Sequence, residues 1–64
     1  MLNLKMNKKY LVRDKEMTVS QIYPVEFKAS EYKDLVIVKD HLYNEEFYLT
    51  WDEVYDLYEI LKEA

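Results

Sequence analysis

The chain has 64 residues, half of them hydrophobic and 34% charged, with a formal net charge of −4. This is globular rather than disordered composition, with room for one domain, residues 1–64. With no Cys, no Gly, one Pro and one His, it excludes disulfides, thiol nucleophiles, cysteine zinc sites and every glycine-built phosphate cradle, and His41 alone cannot furnish a multi-histidine metal centre. No cofactor and no metal are therefore expected. The first ten residues, MLNLKMNKKY, lack the apolar core of a secretory signal, and the longest aliphatic run, Leu35 to Val38, is far too short to span a membrane. A cytoplasmic location is expected. A chain near 60 residues buries only about 60% of its unfolded surface, so self-association, most simply a homodimer, is expected to add stability.

In chain order, residues 1–7 carry no clear pattern and are expected to fray. Lys8 to Arg13 (KKYLVR) combines Tyr, Leu and Val in a short strand. Asp14-Lys15-Glu16 is a polar break suited to a hairpin loop. From Met17, alternate residues (Met17, Val19, Gln21, Tyr23) oppose Thr18, Ser20 and Ile22, and Val25, Phe27 and Ala29 oppose Glu26 and Lys28. This predicts one long bent strand or two short ones over 17–29, with the bend at Pro24, which cannot donate to a ladder. Ser30 to Lys33 is a polar connection. Asp34 to Lys39 (DLVIVK) has the strongest strand pattern, its four apolar residues suiting a strand covered on both faces or a dimer seam. Asp40 to Glu46 reads as a hairpin loop in which Asn44 or Asp40 takes any left-handed position, and Phe47 to Thr50 as the last strand.

The tail begins with a capping-box spacing, Thr50 to Glu53, and places Asp52 and Glu53 in a first turn where the helix dipole favours negative charge. A helix is predicted over about 51–63. On a wheel of roughly 100° per residue with Trp51 at the origin, Val54, Leu57, Tyr58 and Leu61 form an apolar stripe at about 240–340°. Asp52, Asp56, Glu59 and Glu63 gather at about 80–140° as an acidic ridge, with Ile60 beside it near 180°. The predicted fold is α+β: a small, mostly antiparallel sheet of three to five strands, with one C-terminal amphipathic helix packed across it and Trp51 anchoring the junction.

Charge is uneven along the chain. Residues 1–33 carry seven basic side chains against four acidic, and residues 34–64 carry two against nine. The plain reading of the acidic ridge is a solvated face that keeps a small protein soluble. The functional reading is a docking surface for a basic partner, such as the nucleic-acid-binding face of another protein, since carboxylates at helical spacing can stand in for phosphates. On that reading Asp52, Asp56, Glu59 and Glu63 supply charge, and Tyr55 and Ile60 are the apolar anchors. Of the seven tyrosines, Tyr10, Tyr23 and Tyr58 are expected in the core, with Tyr43 and Tyr55 at an interface.

The basic stretch from Lys5 to Arg13 offers a weaker alternative, phosphate contact through Lys5, Lys8, Lys9 and Arg13 with Tyr10 as a stacking platform. His41 lies beside Asp40 in a loop, and the adjacent carboxylates Glu45-Glu46 and Asp52-Glu53 have no spacing that argues for an acid–base pair. The expected function is therefore non-enzymatic: an inhibitor or regulator that masks a basic surface of a partner protein. An assembly module acting as a homo-oligomer is the second expectation. In size and composition the chain is similar in general style to host-takeover and anti-defence proteins of bacteriophages, a likeness that no motif carries.

Overall fold

The structure, a computed structural model, describes residues 4–16 and 21–64. Five strands and one short helix follow in the order β1 (Lys8–Asp14), β2 (Ile22–Ala29), β3 (Val36–Asp40), β4 (Glu45–Leu49), α1 (Trp51–Leu57) and β5 (Tyr58–Glu63). The strands form one antiparallel sheet ordered β4-β3-β2-β1-β5. The first four make a meander. The chain then leaves the β4 edge, crosses the sheet through α1 and returns as β5 beside β1 on the far edge. The fold is the expected α+β class with a helix near the C-terminus.

The register explains which residues are buried. Cross-strand partners share a face, and Tyr10, Val12, Tyr23, Val25, Phe27, Val36 and Val38 all fall on the one that α1 covers. Val54 of α1 and Tyr58 of β5 complete this buried core, with Leu4, Leu42, Phe47, Leu49, Trp51, Leu57 and Ile60 packed around its margin. The Phe27 ring lies between Tyr10 and Trp51, at centroid distances of 5.9 Å and 5.5 Å. Trp51 thus fixes the start of α1 over the middle of the sheet. The three tyrosines assigned to the core from sequence, Tyr10, Tyr23 and Tyr58, are all buried.

Pro24 sits inside β2, paired with Leu11 of β1, and the strand runs through it without interruption. The β2–β3 ladder reaches only to Val25 and Asp40. His41 N–H donates to the Pro24 carbonyl at 3.1 Å, so that side of Pro24 faces the point where β3 has ended. Both backbone groups of a strand residue point the same way, so the missing proline donor falls beyond the ladder. The alternation expected over Met17 to Ser20 lies outside the described residues. Asn44 takes the left-handed position of the β3–β4 turn, with φ 56°, and Asn7 adopts φ 62° just before β1. Asn is among the residues that best tolerate this region.

The helix predicted over 51–63 is corrected. It starts as expected: Thr50 Oγ1 accepts from Glu53 N–H at 3.2 Å, and Glu53 Oε1 accepts from Thr50 N–H at 2.9 Å, closing the capping box. It ends at Leu57, and Tyr58–Glu63 is a fifth strand, so β4 is not the last. A 13-residue helix is marginal by itself, whereas β1 would be left with an unpaired outer edge. Tyr58–Glu63 fills that edge and still buries apolar side chains: Tyr58 and Ile60 face the core, opposite Asp14 and Val12. Ile60, which fitted no helical stripe, is thereby accounted for as the second core-facing residue of a strand. Leu61 lies where the β1–β5 register shifts. Of the predicted helical stripe, α1 keeps only Val54 and Leu57.

Candidate interaction surface

The six residues assigned to partner binding do not share one surface. Asp52, Tyr55 and Asp56 stay together on the outward side of α1, all exposed, with Tyr55 at 49% accessibility. The Tyr55 ring leans on Trp51 at a centroid distance of 6.2 Å, which restricts its rotamer. Glu53 lies on the same exposed turn and is held by the capping box. Among the described residues no Lys or Arg pairs with Asp52 or Asp56. Lys15 does contact the backbone of α1: its Nζ donates to the Tyr55 carbonyl at 2.7 Å, while its backbone N–H donates to the Leu57 carbonyl at 2.8 Å. This lysine satisfies two of the C-terminal carbonyls of the short helix.

Glu59, Ile60 and Glu63 leave the ridge because they are strand residues. Glu59 lies on the opposite face of the sheet and pairs with Arg13. Ile60 packs against the core and is not an exposed anchor. Glu63 is exposed on the core side of β5, opposite Tyr10. The continuous ridge drawn on a helical wheel is thus replaced by a compact patch of Asp52, Tyr55 and Asp56.

The back of the sheet, away from α1, is built from charge rows. Lys9, Glu26, Lys39 and Glu46 stand side by side across β1, β2, β3 and β4. Each carboxylate has a lysine as cross-strand neighbour, and Lys28 bonds Glu46 at 3.3 Å on the diagonal. His41 Nε2 lies 3.3 Å from Glu26 Oε1. Ile37 is half-buried between its partners Lys28 and Tyr48, covered by side chains that keep their polar ends in water. In the run 35–38, expected to be covered on both faces or to form a dimer seam, Val36 and Val38 face the core and Ile37 faces the charge rows.

By register the back face carries Lys9, Arg13, Lys28, Lys39 and Lys62 against Glu26, Glu46 and Glu59. It is therefore net basic, and the acidic excess belongs to the α1 side and the loops.

The alternative of nucleic-acid contact through the N-terminal strand loses its aromatic platform, because Tyr10 is buried and its hydroxyl accepts from Lys5 N–H at 2.8 Å. Lys8 and Lys9 also point to opposite faces, as their partners Phe27 and Glu26 do. Tyr43, by contrast, is exposed at 58% in the β3–β4 turn.

One polar cluster was not anticipated. At the end of the sheet where β5 begins, Tyr23 and Tyr58 meet edge to face at 6.4 Å, and the Tyr23 hydroxyl donates to Asp14 Oδ2 at 3.4 Å. Burial first, then the Asp40 and Asp14 carboxylates, pushes the Tyr58 hydroxyl up to about 12. Tyr23 moves further in the same direction, again chiefly through burial, with Tyr58, Asp14 and Asp40 adding. Both hydroxyls are neutral at neutral pH. The buried Asp40 accepts from the N–H groups of Leu42 and Tyr43, at 2.7 Å and 3.2 Å, and so shapes the turn after β3. These roles are structural. The only sequence signal for them was the Asx-turn chemistry of Asp40, because the meeting of Tyr23 with Tyr58 depends on β5.

Among the described residues there is no group of three or more potential metal ligands, and no helix is long and apolar enough to cross a membrane. Comparison with protein-family models, curated proteins and solved structures finds no match.

Proposed function

We propose that this chain is a non-enzymatic binding protein that covers a basic surface of a partner protein with the outward side of α1. The observation that supports this reading is the patch of Asp52, Tyr55 and Asp56: two carboxylates without a basic partner among the described residues, flanking a half-exposed aromatic ring already held against Trp51. An aromatic side chain with a restricted rotamer gives contact area at small entropic cost, and the carboxylates steer and orient a basic partner. Masking follows from occupancy. A partner that uses the same basic surface to hold nucleic acid is blocked while the chain is bound.

The test is affinity capture from a bacterial lysate at about 50 mM and about 300 mM salt, where screening of exposed charges differs strongly. The immobilised proteins are the wild type, Asp52→Lys/Asp56→Lys and, as a control, Glu59→Lys, with folding checked by circular dichroism. A basic protein retained at low salt by the wild type and the control, and lost with the double variant, is the expected result. Equal retention by the double variant, or no basic protein retained by the wild type, overturns the proposal.

A further inference from the structure

The two edges of the sheet are protected very differently. The β5 edge carries a register shift against β1, exposes Glu59, Lys62 and Glu63, and follows α1 with no intervening loop. Bulges and exposed charges are the usual devices that stop an edge from pairing with another chain. The β4 edge has neither bulge nor proline, and its exposed charges, Glu45 and Glu46, sit together at one end: Glu45–Leu49 pairs in unbroken register with Val36–Asp40 along its whole length. Phe47 and Leu49 are only partly buried at the margin of the core, although both face it. On the other face Tyr48 is 46% exposed, with Tyr32 edge-on at 5.5 Å. Glu46, Phe47 and Tyr48 line a hollow of about 250 Å³.

We propose that β4 pairs antiparallel with β4 of a second copy of this chain, about a two-fold axis through Phe47, to give a continuous ten-stranded sheet. The occupant follows from self-complementarity. To keep both α1-covered faces on one side, the axis must pass through a residue. Centred on Phe47, all five residues of β4 pair: Phe47 with Phe47, Glu46 with Tyr48, and Glu45 with Leu49 of the other copy. No carboxylate then faces a carboxylate, and each Glu46 meets a phenol while keeping Lys28 beside it. Centring on Glu46 sets two carboxylates face to face, and centring on Tyr48 runs Glu45 and Glu46 into the start of α1. The Phe47 register brings the two partly buried phenylalanines together and removes both open edges.

The test is sedimentation of the purified full chain over about 5–500 μM at low and high salt. A concentration-dependent dimer is expected, strengthened by salt because each copy carries a net charge of −4. This is opposite in sign to capture of a basic partner. Tyr48 is exposed, so its variants keep the fold, which circular dichroism checks. Tyr48→Glu sets carboxylates opposite Glu46 twice across the axis and should weaken the dimer about tenfold. Tyr48→Lys should hold it within about twofold, and Gln21→Glu, which adds the same charge far from β4, should leave it unchanged. A monomer throughout the range, or a dimer that Tyr48→Glu and Gln21→Glu affect alike, overturns the proposal.

Discussion

Val54 is the single buried residue of α1, with no accessible surface, and its truncation tests how the seven-residue helix is held. A helix this short is far below the roughly 12–15 residues needed to persist alone in water, so α1 exists because it is docked. Val54→Ala removes two methyl groups, about 0.8 kcal/mol each by transfer, and leaves a cavity beneath a helix that Trp51 and the capping box still fix. Together these cost about 2–3 kcal/mol, offset by about 0.5 kcal/mol from the better helix propensity of Ala. The net loss of about 2 kcal/mol is a large share of the roughly 3–10 kcal/mol expected for a chain of this length.

With a urea slope near 1 kcal/mol per molar, the unfolding midpoint should fall by about 2 M. The assay follows Trp51, the sole tryptophan, by fluorescence and the sheet by circular dichroism. Because α1 joins strands on opposite edges of the sheet, the two probes should move together. A fall of less than about 0.5 M, or a Trp51 transition that precedes loss of the sheet, would refute the argument that helix and sheet form one cooperative unit.

Three further outcomes are expected. Tyr58 and Tyr23 keep their protons in the folded state to about pH 12 and beyond, while in the unfolded chain they titrate near 10. Their contribution is therefore complete below pH 10 and is lost as pH rises through the folded values, by up to about 1.4 kcal/mol per pH unit for each. Urea midpoints at pH 9, 10 and 11 should show this fall, flattened in Tyr58→Phe, and a slope unaltered by that change would disprove it. Thr50→Ala opens the capping box and should cost about 1 kcal/mol, lowering Tm by about 6 °C, whereas Glu53→Gln keeps an acceptor and should cost less than half of that. Asn44→Ala forces a left-handed backbone on a residue with a Cβ and no compensating side-chain amide. It should cost about 1 kcal/mol by denaturant titration, with Asn44→Gly near neutral.

The local features of this protein were decided by short-range chemistry and are legible in the sequence. Thr50 and Glu53 specify the start of α1 because a capping box needs only four residues. The period-two pattern of Val25, Phe27 and Ala29 specifies the register face of β2, and with no Gly in the chain the turn before β4 takes its left-handed residue from Asn44. The end of the helix is different. Tyr58 satisfies both a helical stripe and a strand face, so periodicity does not separate the two states. The choice was made by the unpaired edge of β1, more than 40 residues away in the chain.

That long-range pairing also dismantled the acidic ridge. It moved Glu59 to Arg13 on the back of the sheet and Ile60 to the core, leaving Asp52, Tyr55 and Asp56 as the exposed patch on α1. The separation of a net-basic back face from an acidic front likewise rests on which strands are neighbours. Linear order assigned the two signs to the halves of the chain, whereas tertiary pairing assigned them to faces of the sheet, because adjacent residues of a strand point to opposite sides.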